Sequence, residues 1–294
     1  MAVAEATEAP PTRESRAAPI LRALGSAPVH LVLIFVGVLW LVPTLGLFLT
    51  SLLGAEDFQE EGWWQVFSAP SKLTFENYDA VFDNEDITGA LLTTVYIAVG
   101  GTVLPIIVAA FAGYAFAWLD FPGRDWLFIA VVAMLVVPLQ MALIPIFDLY
   151  NRVGIFDTVL SLVLFHTAFG LPFAIFLLRN FFIGIPKDLM EAARIDGASE
   201  LRLFLRVVLP LGLPAIASLA IFQFLWTWND LLVALVFGRE TQPITVAIFS
   251  QLRAFSTTID LIAPATFVSL AIPLVVFFAF QRYFVQGLLA GSVK

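Results

Sequence analysis

The chain has 294 residues, of which 60% are hydrophobic and 13% are charged. A soluble domain carries about 25% charged residues, so this composition excludes an ordinary soluble fold. The net charge of −8 does not favour nucleic-acid binding, and the absence of cysteine excludes disulfides, thiolate metal sites and a cysteine nucleophile.

The chain begins with a tail at residues 1–27 that is rich in Ala, Pro, Glu and Arg without an apolar period, which predicts disorder. The apolar run that follows is longer than a signal-peptide core of about 7–15 residues, so we expect an uncleaved membrane helix. Runs of this kind recur, and a membrane helix needs about 20 apolar residues. The six predicted spans lie near residues 29–53, 91–117, 126–147, 156–178, 211–237 and 262–284.

The predicted fold is an all-α integral membrane protein, with a six-span domain at residues 28–284 and a short tail at residues 285–294. Prolines inside the spans predict bent helices. An even number of spans places both termini on the same side of the membrane. Of the fifteen basic residues, eleven fall on the side of the termini and four on the other side. Because basic loops stay in the cytoplasm, both termini are predicted to be cytoplasmic.

A charged stretch at residues 186–210 interrupts the apolar chain and predicts two short helices with a hinge. Pro186 suits the first position of a helix, Gly197 suits the position just after its end, and Ser199 can cap the next helix. The second helix is expected to have one apolar face, formed by Leu201, Phe204, Leu205 and Val208.

The role of this stretch is open on physical grounds alone. Glu191 is spaced to form ion pairs with Lys187 and Arg194, and Pro210 marks a break before the next span. A helical pair this short cannot bury its own apolar faces. It either docks into a partner protein or lies on the lipid headgroups.

The fifth predicted span carries polar residues on one face. Gln223, Thr227 and Asp230 follow at i, i+4 and i+7, with Trp226 and Asn229 beside them. Amide, carboxylate and indole groups suit the hydroxyls and C–H face of a sugar, so Gln223, Trp226, Asn229 and Asp230 are candidates for a substrate path. The alternative is that they join helices or anchor the span at the membrane interface.

Ionisable groups are scarce within the spans. Asp148, Asp230 and Arg282 lie near span ends, which speaks against a proton-coupled transporter. His166 lies inside the fourth span, where a helix-to-helix hydrogen bond is the favoured interpretation over a proton carrier. The sequence has no zinc-protease motif, no nucleophile elbow and no Gly-rich phosphate loop, so this chain is not expected to hydrolyse ATP.

A long gapped pattern in the charged stretch resembles the EAA loop of permeases in binding-protein-dependent ABC importers. The pattern is E-A-A-x-x-x-G, nine residues, then I-x-L-P, and Val207 replaces its isoleucine here. The resemblance covers nearly the whole chain after residue 28 and is closest to the maltose-permease (MalG-like) branch. The segments that carry this second resemblance lie at 74–82, 117–125, 222–237 and 281–294. Within that branch, the segments at 177–182 and 226–237 look closest to α-glucoside importers.

The resemblance implies that the EAA loop is a coupling helix that fits a cleft in a separate ATPase subunit, where Glu191 would pair with a basic residue. The implied coupling residues are Glu191, Ala192, Ala193, Asp196, Gly197, Leu209 and Pro210. It also implies that the external loop at residues 238–261 contacts a sugar-binding protein. The implied contacts are Ser250, Gln251, Phe255 and Ser256. ATP and Mg would be bound by the ATPase partner, and this chain would hold no cofactor or metal.

The combined expectation is the permease subunit of an ATP-driven importer of a sugar or oligosaccharide, such as the α-glucosides maltose or trehalose. It would work by alternating access in a bacterial inner membrane, without being an enzyme. The implied partners are a second permease subunit, a dimer of ABC ATPase subunits and an extracytoplasmic sugar-binding protein. The alternatives are a proton-coupled secondary sugar transporter, and a membrane enzyme or structural subunit, for which the sequence offers no pair of nucleophile and base.

Overall fold

The computed structural model describes residues 17–54, 57, 62–253 and 259–290, and the main elements among these residues are twelve α-helices. The described residues hold no β-structure beyond one bridge between Leu53 and Leu73. In chain order the helices are α1 (Ala17–Ser51), α2 (Glu76–Asp83), α3 (Glu85–Trp118), α4 (Arg124–Ala133), α5 (Leu139–Val153), α6 (Val159–Ile183), α7 (Lys187–Ile195), α8 (Glu200–Leu203), α9 (Leu209–Trp228), α10 (Leu232–Phe237), α11 (Ile244–Arg253) and α12 (Ile259–Ala290). The all-α membrane fold is confirmed.

Within the described residues, five helical segments are long and apolar enough to cross a membrane. They are Pro28–Ser51, Glu85–Trp118, Val159–Ile183, Glu200–Trp228 and Leu261–Arg282. The first of these segments lies in α1, which itself begins at Ala17. Residues 17–27 are therefore helical where the sequence predicted an irregular tail, and residues 1–16 lie outside the described part.

The predicted third span is two helices rather than one. Helices α4 and α5 are bent by 101° at a break that contains Pro138. Proline has no N–H and its ring clashes with the preceding turn, so a helix cannot continue through it undisturbed. A bent span was expected from the prolines, but the size of the bend could not be predicted from the sequence.

Helices α4 and α5 together run from one end of the bundle to the other. Helix α4 begins beside the end of α3, where the Trp118 indole donates to the carbonyl of Phe182 near the end of α6. Helix α5 ends just before Gly154, and the chain then enters α6 at its first residue. Helix α6 is 25 residues long, so α4 begins and α5 ends at opposite ends of the bundle. The pair thus supports a sixth crossing, and the count of six spans stays a prediction.

Helices α3, α6 and α9 form the centre of the bundle, and α12 packs on α9 and α1. The α3–α6 contact is close because glycine faces it: a Cβ on Gly113 would lie 3.1 Å from the backbone nitrogen of Arg179. Small residues bring membrane helices together where lipid provides no hydrophobic drive. This centre fixes the positions of the polar residues of α6 and α9.

Candidate functional site

The predicted coupling loop forms the expected first helix. Pro186 occupies the cap position of α7, one residue before the predicted place, and Asp188 lies in the first turn, where the helix dipole favours a carboxylate. The helix ends at Ile195, and Gly197 follows with a φ of +79°. Only glycine adopts this left-handed backbone without strain, so the prediction that Gly197 stops the helix is confirmed.

The end of α7 is a Schellman motif. The N–H of Ala198 donates to the carbonyl of Ala193 at 3.0 Å, and the N–H of Gly197 donates to that of Arg194 at 3.0 Å. These two bonds satisfy carbonyl groups that the helix end would otherwise leave open. These backbone bonds help to fix the direction of the chain after Asp196.

One side of α7 is anchored in the bundle and the other is exposed. The Met190 side chain is fully buried in the apolar cluster at this end of α3 and α6. On the outer side Glu191 and Ala192 are exposed, and Ile195 is 85% exposed. A short helix that places an isoleucine and a carboxylate outward has the features of a docking surface.

The ion pairs predicted for Glu191 do not form. Within the described residues no ion pair involves Glu191, whereas Arg194 pairs with Glu200 at 3.0 Å between Nε and Oε1. The hydrogen bond to Glu200 raises the pKa of Arg194 above its ordinary value, so this arginine stays charged. The Tyr114 hydroxyl donates to the same carboxylate, and Arg194 also reaches the carbonyl of Trp118 at 3.4 Å. These bonds attach the hinge to the end of α3 and leave the Glu191 carboxylate available.

The second helix departs from the predicted pattern. Ser199 holds the cap position of α8, but its side chain makes no capping hydrogen bond. The five residues 204–208 form a π-helical turn, which changes the phase of the helix. The single apolar face predicted there is therefore wrong: Phe204 and Val208 are buried, whereas Leu201 and Leu205 are 58% and 47% exposed.

The irregularity of this segment lies before Pro210 rather than at it. The helix continues from the π turn through Leu209 and Pro210 into α9, without the predicted break. A π turn widens the backbone, which makes room for the ring of Pro210 against the preceding turn. Leu209 and Pro210 thus lie in a helix that continues from the loop into the span.

Two predicted substrate-path residues bond within the bundle. The Gln223 amide is buried and donates to the carbonyls of Gly101, at 3.0 Å, and His166, at 3.3 Å. It therefore joins α9 to both α3 and α6, which favours helix packing over sugar contact. The Asn229 side chain is exposed and donates to the carbonyl of Leu225 in its own helix, at 2.8 Å.

The Trp226 side chain is partly exposed, whereas the Asp230 carboxylate faces the interior of the bundle. The Trp226 side chain is 37% exposed, and its ring lies edge-on to the imidazole of His166, with 5.0 Å between centroids. The Asp230 carboxylate accepts the N–H groups of Val233, at 3.3 Å, and Ala234, at 3.0 Å, which begin α10. Of the four candidates, Trp226 and Asn229 remain accessible to a solute.

The structure brings together two ionisable residues that the sequence treated separately. The Asp230 side chain is only 11% exposed and lies 3.6 Å from the Nε2 of His166. Asp230 lies just after the end of α9 at Trp228, near a span end as predicted, but its side chain faces the bundle. The His166 side chain does not make the predicted helix-to-helix hydrogen bond: its Nδ1 bonds the carbonyl of Leu162 in its own helix, at 2.8 Å, and its Nε2 has no hydrogen-bond partner within the described residues. The two residues lie far apart in the chain, so no local pattern could have paired them.

A polar cleft of about 450 Å³ lies at the end of the bundle opposite α7. Two of the predicted binding-protein contacts, Ser250 and Gln251, line it together with the acidic residues Glu85, Asp86 and Glu240. Phe255 and Ser256 lie outside the described residues. No group of three potential metal ligands occurs in the part of the chain that the structure describes.

Comparison with known proteins gives consistent matches over most of the chain. Residues 106–290 match the family model described as "Binding-protein-dependent transport system inner membrane component". The chain is 47% identical over 273 residues to the osmoprotective compounds uptake permease protein GgtD of Synechocystis, a match that covers 91% of this chain and 92% of that protein. It is 49% identical over 235 residues to the alpha-glucoside transport system permease protein AglG of Rhizobium meliloti, covering 77% of this chain and 62% of that protein.

The fold also matches a solved structure. A chain from the crystal structure of a bacterial ABC transporter involved in the import of the acidic polysaccharide alginate aligns with a TM-score of 0.72. The alignment covers 92% of this chain and 99% of that chain, at 23% sequence identity. At that identity the likeness establishes the shared fold.

Proposed function

The chain belongs to the family of binding-protein-dependent transport system inner membrane components, and from this premise we propose that its cargo is a sugar, specifically an α-glucoside. A member of this family is a multi-pass permease subunit of an ABC importer and not an enzyme, which decides against the proton-coupled alternative. The observation that carries the cargo is the 49% identity to a permease named for α-glucosides. Maltose and trehalose are the specific candidates.

The proposed assembly has this chain beside a second permease subunit, with a dimer of ATPase subunits inside and a sugar-binding protein outside. ATP and Mg belong to the ATPase subunits, and this chain supplies no cofactor. Both termini are proposed to be cytoplasmic. The excess of basic residues on that side and the path of α4 and α5 between the two ends of the bundle support this orientation.

The proposed mechanism is alternating access driven through α7. ATP closes the ATPase dimer, which carries the docked α7 with it, and hydrolysis returns the bundle to its inward state. The exposed Glu191 and Ile195 support docking, as does the Met190 anchor behind them. Because the helix is continuous from Glu200 to Trp228, a displacement at the loop is transmitted along α9 to Trp226 as a rigid movement.

Uptake measured in the native host tests the cargo and the energy source together. A strain lacking this chain is complemented with it, and we expect labelled maltose or trehalose to accumulate only in the complemented strain. Uptake should persist when the proton gradient is dissipated with cellular ATP held constant, and should stop when ATP is depleted. Competition by an osmoprotective solute that is not a glucoside would contradict the cargo, and loss of uptake with the gradient would contradict ATP coupling.

Replacement of Trp226 tests the substrate path. Trp226→Ala removes an exposed aromatic ring of α9 that lies beside the buried His166, and an aromatic contact contributes about 0.5–1.5 kcal/mol. We expect the sugar concentration for half-maximal uptake to rise about two- to tenfold. Trp40→Ala, which removes a 78% exposed ring on α1, is the control and should leave it unchanged. If Trp226→Ala lowers only the amount of folded protein, Trp226 serves helix packing instead.

A further inference from the structure

Side chains from three helices meet at one carboxylate, at the end of the bundle that holds α7. The Glu200 carboxylate accepts the Tyr114 hydroxyl of α3. It also accepts Nε of Arg194, at 3.0 Å, and Nη2 of the same guanidinium, at 3.4 Å. The Nη2 atom of Arg194 lies 3.4 Å from the carbonyl oxygen of Trp118 as well, at the end of α3. A guanidinium that reaches both oxygens of a carboxylate has a defined geometry. We call Tyr114, Arg194 and Glu200 the loop clasp.

The loop clasp spans the non-helical stretch between the docking helix and the span. Helix α7 ends at Ile195, and the helix that leads into α9 begins at Glu200. The Schellman bonds lie within this turn, so they do not by themselves prevent α7 from turning about residues 196–199 while α9 stays in place. Arg194 lies on one side of the turn and Glu200 on the other, so their ion pair closes the hinge.

Tyr114 extends the same link to α3. Its side chain is 5% exposed, and its ring packs against Phe204 at the start of the π turn, with 5.2 Å between centroids. This packing fixes the position from which the hydroxyl donates to Glu200. Helix α3 is continuous from this end to Glu85, which lines the polar cleft at the opposite end of the bundle. A displacement of Glu200 can therefore reach the far end along α3 as well as along α9.

The orientation of α7 depends on the clasp because the helix has few other links to the bundle. Within the described residues, Arg194 is the one α7 residue whose side chain forms hydrogen bonds outside its own helix. Met190 is the fully buried apolar anchor, but the hydrophobic effect is non-directional and does not fix the rotation of a short helix. The clasp therefore sets the direction in which the exposed Glu191 and Ile195 point.

We propose that Glu200 is a positioning residue for transport, which acts through the loop clasp to make α7, α3 and α9 move as one unit. The proposal rests on the proposed function, in which an ATPase subunit moves α7. It adds that the movement enters the bundle along two helices and depends on side chains outside the predicted coupling residues. A transporter without the clasp keeps its dock, so the ATPase continues to turn over while the bundle follows it poorly.

The amount of sugar moved per ATP hydrolysed tests the proposal in the complete transporter. The permease and its co-purified subunits are reconstituted in proteoliposomes, with ATP enclosed and with the binding protein and labelled maltose outside. Tyr114→Phe removes one hydroxyl and keeps the ring. Because a hydrogen bond to a charged group is lost, we expect the ratio to fall about tenfold, while ATP hydrolysis continues near its wild-type rate.

A second buried tyrosine provides the matched control for this variant. Tyr150 is 7% exposed and lies on α5, near the opposite end of the bundle. Tyr150→Phe makes the same exchange away from the clasp and should leave the ratio unchanged. A wild-type ratio in Tyr114→Phe would overturn the proposal, also where uptake and hydrolysis fall together, because a residue that serves only stability changes both rates in proportion.

Hydrogen exchange gives a measurement that does not depend on the cargo. In the complete transporter in lipid nanodiscs, Glu200→Ala should make the amides of residues 196–198 exchange about tenfold faster, because the clasp no longer opposes local opening. Glu76→Ala, at an exposed glutamate of α2, is the control and should leave these amides unchanged. Unchanged exchange in Glu200→Ala would overturn the clasp. If Glu200→Ala does not assemble, the ratio measured for Tyr114→Phe decides alone.

The two measurements separate the clasp from the proposed cargo. A wild-type transporter that takes up neither maltose nor trehalose would contradict the cargo, and faster exchange in Glu200→Ala would still support the clasp. Uptake of maltose together with unchanged exchange in Glu200→Ala would support the cargo and overturn the clasp.

Discussion

A chain carrying Gly197→Val is expected to insert into the membrane at normal levels and to lose most of its uptake. Gly197 has a φ of +79°, which a β-branched residue adopts only with strain of about 1–3 kcal/mol. The added side chain has space, since no atom lies within 4 Å of its Cβ position, so the effect is one of backbone conformation. The strain disfavours the Schellman turn that fixes α7, and uptake should fall roughly tenfold to a hundredfold.

Two other glycines provide matched controls for this variant. Gly123 and Gly154 have φ values of +81° and +74° and equally open surroundings, but lie outside the predicted dock. Gly123→Val and Gly154→Val therefore impose the same kind of strain without touching α7, and uptake should remain near normal. Equal losses in all three variants would contradict a special role of the loop. The comparison requires equal amounts of each protein in the membrane.

Glu191→Ala provides a second measurement of the same dock without backbone strain. Glu191 is exposed and has no ion pair in the described residues, so its removal should leave the stability of the chain unchanged. Co-purification of the ATPase subunit should be lost. Glu76→Ala, at an exposed glutamate of the short helix α2, is the control and should retain the ATPase subunit. Normal retention of the ATPase by Glu191→Ala would remove this residue from the docking surface.

Features that depend on residues close together in the chain could be predicted from the sequence, and features that depend on contacts between distant residues could not. The end of α7 at Gly197 could be predicted because a helix and the glycine after it are local features. The apolar face of the second helix could not be predicted. The π turn at 204–208 changes the direction in which successive side chains point, and this turn contains Phe204, which packs in the apolar cluster. The apolar runs located the spans, but the bend of 101° between α4 and α5 is a property of the folded bundle.

The candidate substrate path shows the same limit more clearly. Residues at i, i+4 and i+7 share a face, but the sequence does not say whether that face meets a cavity or a neighbouring helix. Gln223 faces α3 and α6, Asp230 caps α10, and only Trp226 and Asn229 stay accessible. Polar residues in membrane helices commonly bond other helices, and here that alternative describes Gln223.

Gly170→Ala is expected to destabilise the bundle because it displaces Gln223. A Cβ on Gly170 would lie 2.6 Å from Oε1 and 2.7 Å from Nε2 of Gln223, shorter than any normal contact. The amide cannot retreat without losing its hydrogen bonds to the carbonyls of Gly101 and His166, and its own polar atoms would then be buried without these partners. We expect a cost of about 1–3 kcal/mol, and a melting midpoint in detergent lowered by about 2–4 °C for each kcal/mol.

The double variant Gly170→Ala/Gln223→Ala separates the clash from other effects of the new methyl group. Removing the amide makes room for the Cβ, so the double variant should be no less stable than Gln223→Ala alone, which departs from additivity. Gly89→Ala is the control, since its Cβ position on α3 has no atom within 4 Å and alanine favours the helix. Strict additivity would mean that Gly170 and Gln223 do not interact. If Gln223→Ala instead left stability intact and weakened sugar uptake, Gln223 would belong to the substrate path. A residue that serves only packing cannot change sugar affinity without changing the stability of the helices that it joins.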